Sequence, residues 1–253
     1  MIRLRQICLV GRDRDAIVAD LEAVFSLRVG YVDPGVGVFG LHNAVMPVGD
    51  QFLEVVAPVR ENTTAGRYLE RRGGDGGYML IFQADDQPAH RARVEAAGMR
   101  IVTDFRAHGY TCMQVHPADS GGTFLEIDSM DPANDWHPAG PAWRDAVDVS
   151  TVTGFVRADV GCADPAGVAH RWGSVMDLAV TIGHTWGMHE VRPDGFCVRF
   201  TPSGPRGEGL DVIEIAAHDA TEVLERARLR GLPVDADSVT ICGTRFVPRP
   251  AED

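Results

Sequence analysis

A chain of 253 residues is long enough for one large domain or two of ordinary size, and 45% apolar and 24% charged residues are usual for a globular protein. The net charge of −12, with acids and bases interspersed, excludes the basic stripe that a nucleic-acid surface needs and disfavours anionic membranes. The five cysteines are scattered with no C-x-x-C, the N-terminal apolar run is short for a signal peptide, and no stretch reaches membrane-spanning length; a reduced, cytoplasmic protein is expected.

Residues 3–10 alternate loosely and read as a strand. Asp13 to Phe25 has helical spacing, with Ile17, Leu21 and Val24 on one face and Asp13 as cap. Val29 to Val32, Ala44 to Val48 and Phe52 to Val56 read as three short strands, the first two separated by a DPGVGVFG loop. A helical turn (Gly66 to Arg72) and a glycine-rich hinge follow. The pattern then repeats: strand Tyr78 to Ala84, helix Pro88 to Ala97 stopped by Gly98, and strands Arg100 to Asp104, Tyr110 to Val115 and Thr123 to Ile127. The two copies close alike, FLEVV at 52–56 and FLEID at 124–128.

Ser129 to Ser150 is rich in Pro, Ala, Asp and Trp without a clear period and reads as a linker, partly ordered by Trp136 and Trp143. A weaker repeat follows: strand Gly154 to Val160, helix Pro165 to Met176 and strand Cys197 to Thr201. Strand Leu210 to Ala216, helix Ala220 to Arg230 and one or two strands in Val239 to Phe246 complete it. The expected organisation is an α+β fold of four modules in two pairs. Residues 1–130 form the first domain (modules 3–58 and 77–128), 131–150 the linker, and 151–253 a degenerate second domain. A single curved sheet cannot bury both faces alone, whereas paired units can enclose a cleft.

Glu54 and Glu126 are acids embedded in apolar strands, where a carboxylate must be solvated, paired or bound to a cation. They are expected to face one another across the cleft. Gln6 and Met79 read as cleft lining. His116, before Pro117, contacts an anionic group, stands in as an unorthodox ligand, or caps or hydrogen-bonds backbone. His42 and Asn43 read as an exposed hairpin, and the H-x-W-x-x-H of His184, Trp186 and His189 as a glycine-rich loop. GGDGG at 73–77 precedes a strand and lacks a following Gly-Lys-Ser/Thr, so it reads as a turn rather than a phosphate loop. Arg60, Arg67, Arg71 and Arg72 around it read as a solvated face.

The segment FLEVVAPVRENTTAGRYLERRGGDGGYMLIFQADD (52–86), with HPADSGGTFLEID (116–128), resembles the vicinal oxygen chelate superfamily of glyoxalase, bleomycin-resistance and dioxygenase proteins. Within it, the look is that of the methylmalonyl-CoA epimerase branch. The resemblance covers residues 3–128 well and 152–248 weakly. It implies tandem βαβββ modules and a divalent metal held by one ligand from each first strand and each last strand of a pair. Carried over, these positions are Gln6 and Met79 (Tyr78 in a register shifted by one), and Glu54 and Glu126. The family usually has His at both first-strand positions; here neither is His. The implied metal set is therefore Glu54, Glu126 and Gln6, an incomplete one, because Met is a soft donor suited to Cu(I). The second pair has Arg157 and Val212 at its first-strand positions and no acid in either closing strand, so that half is expected to be non-catalytic.

The resemblance implies an isomerase or lyase acting by proton transfer next to a carbonyl, on a small 2-oxo acid or an acyl-CoA-like substrate. Glu54 and Glu126 would be catalytic, and Gln6, Met79 and His116 would bind ligand. The alternative is a metal-free protein of the same fold that sequesters a small molecule; a third option is a scaffold whose clefts are filled by its own side chains. The expected partner is a small molecule, not nucleic acid or membrane, and a homodimer is the candidate assembly.

Overall fold

The computed structural model describes residues 1–183 and 188–251, so His184 and Trp186 lie outside the described residues. Strand β1 (Ile2–Val10) is followed by α1 (Arg14–Phe25), β2 (Leu41–Val48), β3 (Gln51–Pro58) and α2 (Thr64–Arg72). A second round comprises β4 (Gly76–Ala84), α3 (Gln87–Ala96), β5 (Ile101–Ala107), β6 (Tyr110–Val115) and β7 (Phe124–Met130). The third has β8 (Val152–Cys162), α4 (Pro165–Met176), β9 (Val180–Ile182), β10 (His189–Val191) and β11 (Cys197–Pro202). The fourth has β12 (Gly209–Ala217), α5 (Ala220–Leu229), β13 (Val239–Ile241) and β14 (Thr244–Pro250).

The strands form two seven-stranded sheets, ordered β2-β3-β1-β4-β7-β6-β5 and β13-β14-β12-β8-β11-β10-β9. Each sheet places the first strands of two successive modules side by side at its centre, as tandem glyoxalase-like modules require. None of the described helices is long and apolar enough to cross a membrane.

The helices begin where the chain supplies a cap. Asp13, Asp86, Asp164 and Asp219 each accept a backbone N–H of the first turn, and Thr63 does so for α2. Thr63 is why α2 starts two residues earlier than the apolar pattern suggests. The expected strand at Val29 to Val32 is reduced to a single bridge, Tyr31 to Val45. Pro34 opens a 3-10 turn there, and the Asp33 carboxylate accepts the Gly35 N–H at 2.8 Å, so the segment leaves the sheet before a ladder can form. In contrast, β9 and β10, each three residues long, were too short to stand out as a period.

Contacts divide the chain into two units, each drawing on both halves of the sequence. The first comprises Met1–Ile7, Tyr78–His137 and Arg157–Asp211. In its core Phe82 meets Trp172 edge-on at 6.1 Å and lies 6.4 Å from Phe196, while Trp172 packs on Phe200 at 5.3 Å. The Trp172 indole N–H donates to the Ser120 carbonyl at 3.2 Å, which satisfies its one polar atom.

In the same unit Arg100 grips Asp119 through Nε–Oδ2 at 2.8 Å, Nη2–Oδ1 at 2.7 Å and its own backbone N–H at 2.9 Å. The side-chain bond from Arg100 holds the Asp119 carboxyl below its ordinary value. A depressed carboxyl stabilises the fold above the ordinary Asp range, and that contribution is lost as pH falls through the folded value. Asp119→Asn is therefore expected to lower the melting temperature near neutral pH and to match the parent at about pH 2. An equal shift at both pH values would assign the effect to packing instead of charge.

The second unit comprises Cys8–Gly77, Pro138–Val156 and the chain from Val212 onward. Phe25 packs on Phe246 at 5.3 Å, and Phe52 meets Trp143 edge-on at 5.0 Å. Arg226 of α5 donates to Ser26 Oγ at 2.7 Å and Thr151 Oγ1 at 3.2 Å. Arg72, expected on a solvated face, is buried; it falls on the inward side of α2 with Tyr68 and Leu69.

Candidate functional site

Strands β6 and β7 pair antiparallel with Gln114 opposite Glu126 and Tyr110 opposite Met130. β7 runs parallel to β4, Ile81 level with Glu126 and Gln83 level with Asp128. Successive strand residues point to opposite faces, so Tyr110, Cys112, Gln114, Glu126, Asp128 and Gln83 share one face. Phe82 and its register partner Ile127 take the other, which packs on Trp172.

Four side chains meet on the first face. The Tyr110 hydroxyl donates to Asp128 Oδ2 and lies 3.2 Å from Glu126 Oε1. The Cys112 thiol donates to Glu126 Oε1 at 3.5 Å, and the Met113 backbone N–H to Asp128 Oδ1 at 3.2 Å. All four residues are at most 3% exposed. Glu126 Oε2 is buried with no hydrogen-bond partner.

Burial penalises the charged form of a carboxyl and raises both acids. At Glu126, the nearby Asp128, Gln114, Tyr110 and Cys112 side chains offset only part of this. At Asp128 the adjacent Glu126 charge adds to it and pushes the carboxyl well above the usual range. Burial likewise lifts the Tyr110 phenol and the Cys112 thiol, with the two acids adding to the shift. Two carboxyls so placed oppose each other's ionisation.

The linker returns across this face. Gln83 Nε2 donates to the Ala133 carbonyl at 2.8 Å and Arg5 Nη2 to the Asn134 carbonyl at 3.5 Å. The Trp136 indole N–H donates to Gln6 Oε1 at 2.8 Å. Its ring meets Tyr110 edge-on at 5.5 Å, with the Arg5 guanidinium 5.6 Å from its centroid. The His137 ring lies 5.7 Å from Tyr110.

Of the residues singled out from sequence, Gln6, Met79, His116 and Glu126 lie in the first unit and Glu54 in the second. Glu54 is buried, and its Oε1 accepts from Asn43 Nδ2 at 2.7 Å. Asn43 is not on an exposed hairpin: it is buried in β2, beside β3, and its Oδ1 accepts the Asp33 N–H at 2.8 Å. Met79 is buried, and His116 Nδ1 accepts the Ala118 N–H at 3.1 Å, capping a 3-10 turn. Sequence reasoning missed Tyr110, Cys112, Asp128, Arg5 and Trp136 as site residues. The available signal was polar alternation, Y-x-C-x-Q at 110–114 and E-x-D at 126–128, in strands that turn out to be neighbours.

No family model matches the sequence. Ethylmalonyl-CoA/methylmalonyl-CoA epimerase of Cereibacter sphaeroides is 23% identical over 134 residues, 51% of this chain and 98% of that protein. A hypothetical protein from Staphylococcus aureus superposes on 99% of this chain and 100% of its own, with a TM-score of 0.69 at 11% identity. A variant of 4-hydroxymandelate synthase from Streptomyces coelicolor superposes on 90% of this chain and 75% of its own, with a TM-score of 0.69 at 16% identity. The chain has the vicinal oxygen chelate fold.

The residues that the resemblance carries over to metal positions do not make a full set of hard donors. Gln6 Oε1 already accepts the Trp136 indole N–H, and the thioether of Met79 stands where a second hard donor is needed. One other group of ligand atoms, on Cys112, Glu126 and Asp128, lies within 4.8 Å of one another among the described residues. Its donors are engaged with Tyr110, with the Met113 N–H and with each other, which leaves Glu126 Oε2 as the open one.

Proposed function

We propose that this chain is a glyoxalase-like isomerase or lyase that moves a proton next to a carbonyl, with Glu126 as the base. The supporting observation is the uncommitted, buried Oε2 of Glu126 beside the hydroxyl of Tyr110 and a carboxyl, Asp128, whose ionisation burial opposes. A buried acceptor without a partner is costly unless it is used. In the reaction a substrate C–H bond breaks, the proton passes to Glu126 Oε2, and the electron pair moves to the carbonyl oxygen as an enolate. The Tyr110 hydroxyl, on turning from Asp128 to the substrate, supplies the O–H donor for that oxygen, and return of the proton to carbon completes an isomerisation. The similarity to the Cereibacter epimerase supports an acyl-CoA-like or small 2-oxo acid substrate. Glu54, held by Asn43, is the second candidate base.

Incorporation of solvent deuterium at the α-carbon, followed by NMR across a panel of acyl-CoA thioesters and 2-oxo acids, tests the reading. Exchange with no member of the panel overturns it. Glu54→Gln is expected to slow exchange less than Glu126→Gln, since its carboxylate already has an amide donor. None of these steps requires a metal, so protein treated with EDTA is expected to keep its exchange activity. Loss on chelation with recovery on adding Mn²⁺ or Co²⁺ would refute the metal-free assignment.

A second reading, a metal-free binding protein, is favoured by the Trp136–Gln6 bond in the position of a metal ligand. It predicts no exchange, together with a melting temperature that rises on addition of a small ligand.

A further inference from the structure

The linker residues Ala133 to His137 make the contacts that a bound ligand would make. Two of their backbone carbonyls accept hydrogen bonds from Gln83 and Arg5, whose side chains come from neighbouring central strands. The Gln83 amide is oriented for this: its Oε1 accepts from Arg3 Nη2 at 3.3 Å, which turns Nε2 toward the Ala133 carbonyl. The pair therefore presents only donors, a guanidinium and an amide NH₂, both on buried residues. Trp136 covers the same ground, bonded to Gln6 and packed between Tyr110 and Arg5. Gln83 is level with Asp128 in the β4–β7 ladder, so these donors adjoin the acid group.

We propose that Arg5 and Gln83 form a subsite for the oxygens of a small carboxylate bearing an adjacent carbonyl, and that Ala133 to His137 is an internal occupant which the ligand displaces. A guanidinium prefers a carboxylate to a peptide oxygen, because the bond is then charge-assisted and can be bidentate. Displacement exchanges two peptide acceptors for a charged one and uncovers Tyr110 and Asp128 to the ligand's carbonyl. The inference rests on the acid–base reading only for what happens to the ligand after binding; the subsite stands or falls on binding.

The probes are pyruvate and 2-oxobutyrate, with acetate as a carboxylate lacking the second carbonyl, titrated by calorimetry into the full chain. The 2-oxo acids are expected to bind and to raise amide hydrogen exchange at Asn134 to His137, and acetate to bind more weakly. Trp136→Phe keeps a ring but drops the N–H to Gln6, which favours the displaced strap; binding is expected to tighten about fivefold. Gln83→Leu leaves the ring contacts in place and is expected to weaken binding about tenfold. No heat of binding at millimolar ligand, binding insensitive to Gln83→Leu, or binding that leaves strap exchange unchanged each overturns the proposal. Glu126→Gln separates the two readings: binding without proton exchange keeps the subsite and the base, whereas binding with full exchange keeps the subsite and rejects the base.

Discussion

Glu126→Gln is expected to slow α-proton exchange by about 10²- to 10⁴-fold, the usual worth of a positioned general base, while the protein stays folded. The amide matches the carboxyl in size, and its oxygen can still accept from Tyr110 and Cys112 as Oε1 does. What disappears is the basic oxygen and the Glu126 charge that opposes ionisation of Asp128. A stability effect of definite sign accompanies this. Both acids titrate above their ordinary values in the fold, driven first by burial. Their contribution is thus fully present below the ordinary carboxyl range and is lost as pH rises through the raised folded values. The parent's urea midpoint should decline from about pH 4 upward on this account, and the variant's decline should be shallower. A variant with parental activity removes Glu126 from the mechanism, and a parent that grows more stable through that window rejects the raised carboxyls.

The largest loss of stability is expected from Phe82→Ala. Phe82 is fully buried, with Trp172 at 6.1 Å and Phe196 at 6.4 Å. Truncating a buried Phe costs about 3–5 kcal/mol, from lost transfer energy and the cavity left behind. Trp172 cannot slide into the space freely, because its indole N–H is tied to the Ser120 carbonyl. For a chain of this size the cost corresponds to a fall of roughly 6–20 °C in melting temperature. Phe82→Leu should cost clearly less, since it refills most of the volume. The acid group lies on the opposite face of the sheet, so exchange activity well below the new midpoint should persist. A shift of only a degree or two would mean that the aromatic cluster is not the core of this unit.

Local signals carried most of the fold. Helix α4 begins and ends where Pro165 and Met176 were read, because the Asp164 cap and the proline at its first turn are encoded side by side. The paired endings FLEVV and FLEID announced the repeat, and both fall in strands. The strand expected at Val29 to Val32 did not form, because a proline turn, not the apolar run, governs that segment. At the site, Glu126 was legible as an acid within an apolar strand. Its company was not: Tyr110 lies 16 residues from Glu126 and 18 from Asp128 along the chain.

Periodicity, caps and glycine stops are short-range properties, and from them alone came the four modules, their order and one acid of the group. Strand register and long-range closure have no comparable signature. A shift of one residue in β6 against β7 would have sent Tyr110 and Cys112 to the helix-covered side. The return of Ala133 to His137 over the sheet likewise depends on partners as distant as Arg5 and Gln6, which lie 129 and 130 residues away. Those pairings, set by burial and hydrogen bonding across the folded chain, brought the acids, the phenol and the strap to one place.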